Sequence, residues 1–512
     1  MSDHQTQTEA DQAPVIDFFA RDAQRIDTQG AVVLLKGDTA IKIRRAIRLP
    51  FLDYSTLDKR RAAAEAEIAL NRDNAPHIYI EASPIVSARD GFTLGGEGEI
   101  VEWATRMRRF DENATFDKIA ARGEVKDAHV RDLARAVRAS HERAQIREAR
   151  PFIEAAARWI AQNSGAFAER PDLFPTLETR ELAERSRAAL EAATPLLLAR
   201  GNLQRIRRCH GDLHLGNIVL SENRPTLFDA IEFDETIATG DVLYDLAFAV
   251  MDLWERDLRT EASLLLNSYL ALSDAEDYSG LALMPLFLAL RAAIRAKVEA
   301  ANLAHLDAEK RETAAKSARR YFDFAARFLE PAPACLVAIG GLSGVGKSAV
   351  AHALSPEIGR APGAALLRSD VERKHLHGVD EMSKLPDEAY GAEAGRETYA
   401  RLTDKARRAL EAGASALVDA TFARGAERAA IAEIARTARA RFVGLWLDAR
   451  LETRLKRIGA RRADASDADA AVALKQRCDP LSESGWLAVD ASGDFAATLA
   501  NARVALAKRI SV

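Results

Sequence analysis

The 512-residue chain lacks the usual marks of secreted and membrane-spanning proteins. Its 3 cysteines lie far apart, so we expect neither a disulfide framework nor a zinc site. The most apolar run, 281–290, contains a proline, is too short to span a bilayer and predicts a buried helix. Residues 1–24 have neither a basic segment nor an apolar core, which predicts a disordered lead-in and no secretion signal. We therefore expect a cytoplasmic protein without a membrane partner.

Net charge is also low. The formal charge of -4 and the pI near 6.3 create no general field for polyanions, so a nucleic-acid partner is not expected. Hydrophobic residues make up 48% of the chain, which is enough to build cores. A chain of 512 residues exceeds the size at which one core keeps growing, so two or more domains are expected. Composition does not define the oligomeric state.

Residues 25–330 have the pattern of a small β-rich lobe followed by a large helical lobe. Residues 31–43 alternate in the way of two strands around a Gly-Asp turn, which places Lys42 on the second strand. Strong helix formers fill 57–71 behind a Ser-Thr pair that offers an N-cap oxygen. Another strand is expected within 98–107, and helices dominate beyond it. This order predicts an α+β two-lobe domain.

A second domain is predicted over residues 331–512. The segment 330–334 contains two prolines and ends the preceding helical pattern. After it come an apolar strand, a glycine loop and a helix, and then further strand candidates separated by helices at 365–370, 415–420 and 442–448. Alternation of this kind predicts an α/β domain with a parallel sheet covered on both faces.

The first domain carries three oxygen-bearing side chains in an order that suits phosphoryl transfer. Transfer to a hydroxyl needs a carboxylate that orients the nucleophile and oxygen ligands that hold Mg²⁺ on the phosphates. Asp212, Asn217 and Asp229 offer these groups. A hairpin turning near Asn223 would bring positions 217 and 229 opposite each other on adjacent strands.

The segment from His210 to Asn217 reads HGDLHLGN, and it resembles the signature of the aminoglycoside and choline type phosphotransferases. The later GD and YDLA pieces of that signature follow at 240–247. The resemblance implies that Asp212 is the catalytic base and that Asn217 and Asp229 are Mg²⁺ ligands. It also implies that His210 and Asp241 support the loop.

The same resemblance requires a strand lysine on the phosphates and a helix glutamate that holds the lysine. Lys42 and Glu65 are the candidates, and Glu67 is a weaker one because it lies two positions from Glu65 and faces another way. Single glycines, Gly30 and Gly37, stand where protein kinases have a glycine-rich loop over the nucleotide.

The second domain contains the pattern G-x-x-x-x-G-K-[ST] between a predicted strand and a predicted helix. Backbone N-H groups in such a loop wrap the phosphates of ATP or GTP, the lysine adds a charged contact, and the hydroxyl ligates Mg²⁺. The nucleotide-binding candidates are Gly341, Ser343, Gly344, Val345, Gly346, Lys347 and Ser348, and Ser348 is also a metal candidate.

Two aspartates follow later strand candidates of the same domain. Because strand ends form the ligand crevice of an open α/β sheet, Asp370 and Asp419 should approach the γ-phosphate. Asp419 suits the Mg²⁺ role, and Asp370 suits the substrate hydroxyl. Arginines on a later helix and its exit, Arg457 and Arg461 above all, with Arg454 and Arg462 beside them, could close over the phosphoryl group. A solvated basic helix face is the alternative.

These motifs resemble small-molecule P-loop kinases such as gluconate kinase and the zeta-toxin-like kinases. Over residues 25–490 the chain resembles bacterial proteins that join an aminoglycoside-phosphotransferase-like domain to such a P-loop domain. The resemblance implies an ATP- and Mg²⁺-dependent phosphotransferase acting on small molecules at two sites. A regulatory ATP-binding protein and a P-loop ATPase acting on a macromolecule are the alternatives. The motifs define neither acceptor.

Overall fold

The computed structural model describes residues 6–49, 52–381, 383–460, 466–481 and 485–509. The chain divides into two compact units: unit 1 comprises Met1–Arg158 with Leu197–Asp252, and unit 2 comprises Trp159–Leu196 with Leu253–Val512. The predicted boundary at 330/331 does not coincide with this division, because the helices after Leu253 group with the P-loop region. The domain limits themselves stay a prediction.

Unit 1 combines an antiparallel sheet with short strand pairs and helices. The limits between the two units fall inside three of its helices, α5, α6 and α8. Its elements are α1 (Glu9–Ala20), β1 (Gln24–Asp27), β2 (Ala31–Lys36), β3 (Thr39–Arg44), β4 (Arg48–Leu49), β5 (Leu52–Asp53), α2 (Leu57–Asn71), β6 (Tyr79–Ala88), β7 (Gly91–Leu94), β8 (Ile100–Arg108), α3 (Phe116–Ala121), α4 (Asp127–Arg143), α5 (Ala149–Ala168), α6 (Thr176–Asn202), β9 (Ile206–Arg208), β10 (Ile218–Ser221), β11 (Arg224–Leu227), α7 (Glu235–Ala238), β12 (Thr239–Asp241) and α8 (Val242–Glu255).

The main sheet of unit 1 has six strands in the order β1-β2-β3-β8-β6-β7. The expected hairpin is present, since β2 pairs antiparallel with β3 and Gly37 turns the chain at φ 55°. Thr56 is the N-cap of α2, and its side chain accepts from the backbone N-H of Lys59. The sheet and α2 together position Lys42.

The prediction of a disordered lead-in is wrong for its described part. Residues 9–20 form α1, and the side chains of Val15 and Ile16 are buried against Val32 and Ile43 of the sheet. Burial of these apolar side chains offsets the entropy cost of ordering the segment. The polar composition of the first residues hid this contribution.

Unit 2 contains the later helices and a second sheet. Its elements after the parts of α5, α6 and α8 are α9 (Arg259–Ala271), α10 (Ala275–Ser279), α11 (Met284–Asn302), α12 (Ala308–Phe328), β13 (Cys335–Gly340), α13 (Lys347–Leu354), β14 (Ala365–Arg368), α14 (Ser369–Leu376), α15 (Ala392–Glu411), β15 (Ala416–Asp419), α16 (Gly425–Thr437), β16 (Arg441–Asp448), α17 (Leu451–Gly459), α18 (Ala470–Lys475), β17 (Trp486–Asp490) and α19 (Phe495–Ala507).

The second sheet has five strands, all parallel, in the order β14-β15-β13-β16-β17. Strands β13, β15 and the inner part of β16 are almost entirely buried, as expected for a sheet covered on both faces. The register pairs Ile339 and Arg368 with Asp419, so the ends of three neighbouring strands meet. The parallel α/β fold predicted for this region is confirmed.

Helix α9 covers the outer edge of this sheet. The side chain of Asn267 is buried, donates to the carbonyl of Ala364 over 3.2 Å and accepts from the N-H of Leu366 over 2.7 Å. Ala364 precedes the edge strand β14 and Leu366 lies in it, and in the described part of the chain no strand pairs with the outer side of β14. One amide side chain therefore replaces a missing strand partner.

Among the described residues, no helix is long and apolar enough to cross a membrane. The run 281–290 lies in a short 3-10 turn and the start of α11, where Pro285 occupies the first turn and the apolar side chains are buried.

Candidate functional sites

The first candidate site lies around Lys42 in unit 1. Its ammonium nitrogen lies 2.8 Å from Glu67 Oε1 and 2.8 Å from Asp229 Oδ1, and the lysine side chain is 17% exposed. Burial lowers the pKa of Lys42, but Asp229 and Glu67 outweigh this effect and hold it well above its ordinary value. Lys42 is therefore a fixed positive charge.

The prediction that Glu65 holds this lysine is wrong, and Glu67 does so. Glu65 pairs with Arg61 one turn away on the same helix and is 51% exposed, whereas Glu67 is fully buried. Helical periodicity explains the difference, because Arg60, Ala64 and Glu67 lie on the stripe of α2 that faces the protein interior. That stripe was visible in the spacing of the apolar residues.

Glu67 is the centre of a buried charge network. Its second carboxylate oxygen accepts from Arg44 over 2.7 Å and from the Thr105 hydroxyl over 2.7 Å. Burial alone would raise the pKa of Glu67, but Lys42 and Arg44 outweigh it and hold that pKa below its ordinary value. Arg44 also reaches Glu232 over 2.7 Å. The carboxylates of this network exceed its cations, three against two, once Asp229 is included.

Asp229 has a left-handed backbone conformation, with φ 60°, which is uncommon for residues other than glycine. Its N-H donates to the Tyr79 hydroxyl oxygen over 2.9 Å, and the N-H of Ala230 donates to the side chain of Asn71 over 2.8 Å. These contacts hold the strained residue in place. Such strain is typical of functional positions, where it aims a side chain that regular strand geometry would point elsewhere.

The hairpin before Asp229 turns near Asn223 as expected, but its register differs by one residue from the prediction. Glu222 and Asn223 form a two-residue turn with positive φ, and Ile218 pairs with Leu227. The N-H of Phe228 therefore donates to the carbonyl of Asn217, which puts Phe228 opposite Asn217. Asp229 follows one residue later, and its left-handed backbone sets the direction of its side chain.

Asp212 and Asn217 contact each other within the HGD segment. The amide nitrogen of Asn217 donates to the carbonyl of Asp212 over 2.9 Å and to its Oδ2 over 3.2 Å. His214 Nε2 lies 3.4 Å from the same carboxylate oxygen. Because the amide nitrogen of Asn217 points at Asp212, the amide oxygen, which is the atom suited to a metal, lies on its other arm.

Asp245 holds the backbone of this segment and was missed by sequence reasoning. Its carboxylate accepts from the N-H of Gly211 over 2.8 Å and lies 3.1 Å from Nε2 of His141. Asp241, which the resemblance assigns to loop support, instead forms a buried two-pronged pair with Arg200 at 2.6 and 2.8 Å. The YDLA sequence that contains Asp245 was the available signal.

His210 supports the segment from the other side, as the resemblance implies. Its Nε2 lies 2.9 Å from the carbonyl of Phe228, and its backbone carbonyl accepts from the N-H of Ile231. Burial lowers the pKa of His210, with Asp245 and Asp212 opposing. A neutral ring that donates from Nε2 links the HGD segment to the strand that precedes Asp229.

Two cavities open onto Lys42 and Asp229. One, of about 220 Å³, is also lined by Asp212 and Glu232. The other, of about 450 Å³, runs beneath the main sheet and has a mainly apolar lining. Its apolar lining residues include Ile26, Val33, Leu35, Ala40, Met107, Phe110 and Phe228. A charged cavity beside an apolar one suits a nucleotide, since the first can take the phosphates and the second can bury the base.

The second candidate site surrounds the glycine loop of unit 2. Gly344 and Gly346 adopt φ 87° and 96°, and a Cβ on Gly344 would lie 2.6 Å from the carbonyl of Arg454. Only glycine fits such positions without strain. The loop therefore has the form that exposes successive N-H groups at the start of α13.

Most of the predicted loop residues line one cavity of about 510 Å³, and two do not. Ser343, Gly344, Gly346, Lys347 and Ser348 are lining residues. Gly341 and Val345 are not among the described lining residues: Gly341 donates its N-H to the carbonyl of Thr421, and the side chain of Val345 is buried in the core. Gly341 and Val345 therefore anchor the loop to the rest of the domain on the side away from the cavity.

Ser348 and Asp419 lie together, as their predicted shared role requires. The Ser348 hydroxyl donates to Asp419 Oδ2 over 2.7 Å, and Arg368 Nε lies 3.4 Å from the same oxygen. Asp419 ends β15, which lies between the edge strand β14 and β13, the strand that enters the glycine loop. A hydroxyl and a carboxylate at this distance offer adjacent oxygen ligands of the kind that Mg²⁺ prefers.

Asp370 lies at the start of α14 and lines the same cavity. Burial, and then the nearby charge of Asp419, raise the pKa of Asp370, while Lys347 and Arg368 act in the opposite direction. A carboxylate with a raised pKa accepts a proton more readily than an ordinary aspartate, which is the property of a general base.

The arginines of α17 divide between structural and lining roles. Arg454 is buried and donates to the carbonyl of Ser343 over 2.9 Å, which holds the glycine loop. Arg457 lines the cavity and donates to the carbonyl of Val345 over 3.1 Å. Arg461 and Arg462 lie outside the described residues. Of the two candidates that the structure describes, Arg457 is the one that lines the cavity of the glycine loop.

Sequence models of known families match both regions. The phosphotransferase enzyme family matches residues 57–283, which contain Asp212, Asn217 and Asp229, and the AAA domain family matches residues 336–479, which contain the glycine loop. The chain joins a kinase-like domain of the phosphotransferase family to a P-loop kinase domain, and it is a phosphotransferase enzyme.

The chain is similar along most of its length to two mycobacterial proteins of uncharacterized function. One is from Mycobacterium tuberculosis (strain ATCC 25618 / H37Rv) and one from Mycobacterium bovis (strain ATCC BAA-935 / AF2122/97). Each is 26% identical over 456 residues, which cover 87% of this chain and 88% of the relative. The order of the two regions is therefore shared with them.

Several kinases are among the solved structures that are similar to parts of the chain. A choline/ethanolamine kinase family protein from Mesorhizobium loti is 16% identical, with 62% of this chain and 97% of that chain covered and a TM-score of 0.32. A gluconokinase from Sinorhizobium meliloti 1021 is 21% identical, with 35% and 94% covered and a TM-score of 0.26. The Mycobacterium tuberculosis APS kinase CysC is 18% identical, with 34% and 99% covered and a TM-score of 0.26.

Proposed function

We propose that each unit transfers the γ-phosphoryl group of ATP to a hydroxyl of a small molecule, so that one chain carries two separate kinase sites. The observation that carries the proposal is that each unit presents a lysine, a candidate base and oxygen ligands around one cavity. In unit 1 these are Lys42, Asp212 and Asp229, and in unit 2 they include Lys347 and Asp370.

In unit 1, the apolar slot beneath the sheet would take the base of ATP, and Lys42 would bind the phosphates. Lys42 is held by Glu67 and Asp229 in a position it would otherwise lose to side-chain motion. The residues fit a divalent ion: Asp229 and Asn217 offer oxygens, and the excess of carboxylates over cations favours a bound cation. When bound, Mg²⁺ would neutralise charge on the phosphates.

The acceptor hydroxyl would lie beside Asp212. Its oxygen forms a bond to the γ-phosphorus of ATP while the bond from that phosphorus to the β,γ-bridging oxygen breaks, and ADP leaves. The hydroxyl proton passes to the Asp212 carboxylate. The Asn217 amide and the Asp245 contacts with the adjacent backbone fix the direction of that carboxylate.

In unit 2, the N-H groups of the glycine loop and Lys347 would hold the triphosphate, and Ser348 with Asp419 would hold Mg²⁺. The same bond changes would follow, with Asp370 as the proton acceptor. Its raised pKa and its place in the cavity of the glycine loop support this role.

The proposal is tested by incubating the full chain with ATP and a pool of small metabolites and measuring which compounds gain one phosphoryl group by mass spectrometry. Asp212→Asn and Lys347→Ala serve as single-site variants. We expect two sets of products, each lost in one variant and retained in the other. A variant that retains every product would refute the assignment of its site. ATP binding without any product would favour a regulatory role.

A further inference from the structure

The charged cavity of unit 1, of about 220 Å³, contains a carboxylate to which the proposed function gives no role. Its charged lining residues, in the described part of the chain, are Lys42, Arg44, Asp212, Asp229 and Glu232. The proposed function uses Lys42 and Asp229 for the phosphates and the metal, and Asp212 for the proton of the acceptor. Arg44 is buried and pairs with Glu232 and with Glu67. Glu232 therefore needs a separate explanation.

The two carboxylate oxygens of Glu232 differ in their contacts. Oε1 accepts from Nε and Nη2 of Arg44, over 3.2 and 2.7 Å, and from the Tyr54 hydroxyl over 3.0 Å. Oε2 has no hydrogen-bond partner among the described residues, although the whole side chain is only 6% exposed. It keeps some accessible surface, and Glu232 lines the cavity. The protein therefore holds this carboxylate by one oxygen and presents the other to the cavity.

The contacts of Arg44 fix the direction of the free oxygen. Its guanidinium donates to Glu67 over 2.7 Å and to the Thr105 hydroxyl over 3.2 Å, and it lies 5.6 Å from the centroid of the Tyr54 ring. Because Arg44 is held by these groups as well, the Glu232 carboxylate that it binds cannot rotate freely. A site with such a fixed acceptor atom favours ligands that have a donor at that point and rejects analogues that lack it.

The rest of the cavity suits a small molecule. Its volume lies below the range of about 300–1,000 Å³ that is typical of ligand pockets. Leu52, Ile231 and Phe233 supply apolar walls, and Asp212 lines the same space as Glu232. A small compound whose hydroxyl lies beside Asp212 therefore shares this space with Oε2 of Glu232. An ionised carboxylate oxygen only accepts hydrogen bonds, so it selects a ligand with an O-H or N-H group.

We propose that Glu232 recognises the acceptor of unit 1, and that this acceptor is a small hydroxy compound with a second hydrogen-bond donor, either another hydroxyl or an ammonium group. The second donor binds Oε2 of Glu232 while the reacting hydroxyl lies beside Asp212. This inference rests on the proposed function of unit 1, because it assigns the substrate class of that site. Glu232 binds and orients the acceptor and takes no part in the transfer of the proton.

The first test measures binding and does not depend on turnover. The full chain is saturated with Mg²⁺ and the ATP analogue AMPPNP, and n-butanol, propane-1,3-diol and 3-aminopropan-1-ol are titrated by saturation-transfer NMR. These probes have equal length and differ at one end, which is a methyl, a hydroxyl or an ammonium group. Wild type is compared with Glu232→Gln, which keeps an oxygen for Arg44 and turns an N-H₂ group to the cavity. Glu235→Gln is the matched control, because Glu235 is 59% exposed and pairs with Arg147.

We expect the diol or the amino alcohol to bind wild type about 10-fold to 100-fold more tightly than butanol, as a hydrogen bond to a charged group predicts. The tighter of the two identifies the donor as a hydroxyl or an ammonium group. Glu232→Gln should remove most of this preference, and Glu235→Gln should retain it.

Wild type that binds butanol as tightly as the other probes, or that binds none of the three, would overturn the inference. That comparison needs no variant, so it decides the matter even if Glu232→Gln impairs folding. A preference that persists in folded Glu232→Gln, or that is lost equally in Glu235→Gln, would overturn the inference as well.

The second test separates this inference from the proposed function. The product of the metabolite pool that disappears in Asp212→Asn is followed in Glu232→Gln. We expect the KM for its acceptor to rise about tenfold or more, with the KM for ATP and the Mg²⁺ requirement unchanged.

An unchanged KM for the acceptor would overturn the role of Glu232 while leaving the kinase proposal intact. A changed Mg²⁺ requirement would overturn it too, because Glu232 would then act on the metal. Absence of any product dependent on Asp212 would instead refute the kinase proposal for unit 1, and the binding of the three probes would then decide the inference alone.

Discussion

Replacing Glu67 by glutamine should destabilise unit 1 locally, whereas the same change at Glu65 should not. Glu67 is fully buried and accepts from Lys42, Arg44 and Thr105 at 2.7–2.8 Å. Removing one partner of a buried ion pair costs about 3–5 kcal/mol. An uncharged glutamine turns an N-H₂ group towards a cation but keeps one acceptor oxygen. Because of that remaining acceptor, we expect a cost at the lower end of this range, about 3 kcal/mol.

Hydrogen exchange of the α2 backbone measures this cost directly. A loss of about 3 kcal/mol in the free energy of local opening corresponds to about 100-fold faster exchange. Glu65→Gln removes only an exposed i,i+4 pair with Arg61, worth about 0.3–0.5 kcal/mol, so exchange should change less than about threefold. The peptides of unit 2 should be unaffected in both variants.

The same pair of variants has a catalytic readout. Glu67→Gln should reduce the phosphoryl transfer that depends on Asp212, because Lys42 loses one of its two carboxylate partners, and should spare the transfer that depends on Lys347. Equal effects of the Glu65 and Glu67 variants on exchange would show that the buried network does not hold this part of the fold.

Three further predictions concern unit 2. Asn267→Leu should lower the free energy of unfolding by about 2–4 kcal/mol, because it leaves backbone groups of Ala364 and Leu366 buried without partners. Thermal denaturation checks this, with Asn267→Asp as the control because it keeps the acceptor for Leu366. Gly346→Ala should weaken AMPPNP binding in calorimetry, because alanine at φ 96° costs about 1–2 kcal/mol and shifts the loop. An unchanged affinity would count against the assignment of this loop to the nucleotide. The rate of the transfer that depends on Lys347 should rise with pH through a pKa above that of an ordinary aspartate, because only the deprotonated Asp370 accepts the proton. A pH-rate profile without this rise would exclude Asp370 as the base.

Features set by local sequence were predictable. The glycine loop, the hairpin around Gly37 and the aspartates after parallel strands follow from turn chemistry and from strand-helix alternation, and the structure has them at those positions. Ser348 and Asp419 meet because parallel strands end at one edge of a sheet. Short-range rules were sufficient wherever one motif and its neighbouring strand define the geometry.

Features that depend on which face of a helix is buried, on strand register or on contacts between distant residues could not be predicted from the sequence. The choice of Glu67 over Glu65 depends on which face of α2 is buried, and the hairpin register depends on a turn of two residues. Asp245 acts on a backbone segment 34 residues earlier, and although the YDLA sequence marks the residue, that sequence does not show which backbone groups it binds. Asn267 contacts β14 from 99 residues away. These contacts exist only once the chain has folded.

Nucleotide stoichiometry tests most directly the claim that each unit holds its own triphosphate. Equilibrium binding of AMPPNP with Mg²⁺ should give two nucleotides per chain in the wild-type protein. Lys347→Ala and Asp229→Ala should each leave one, and the double variant should leave none. A single bound nucleotide in the wild-type protein, or a single substitution that removes both, would contradict the account.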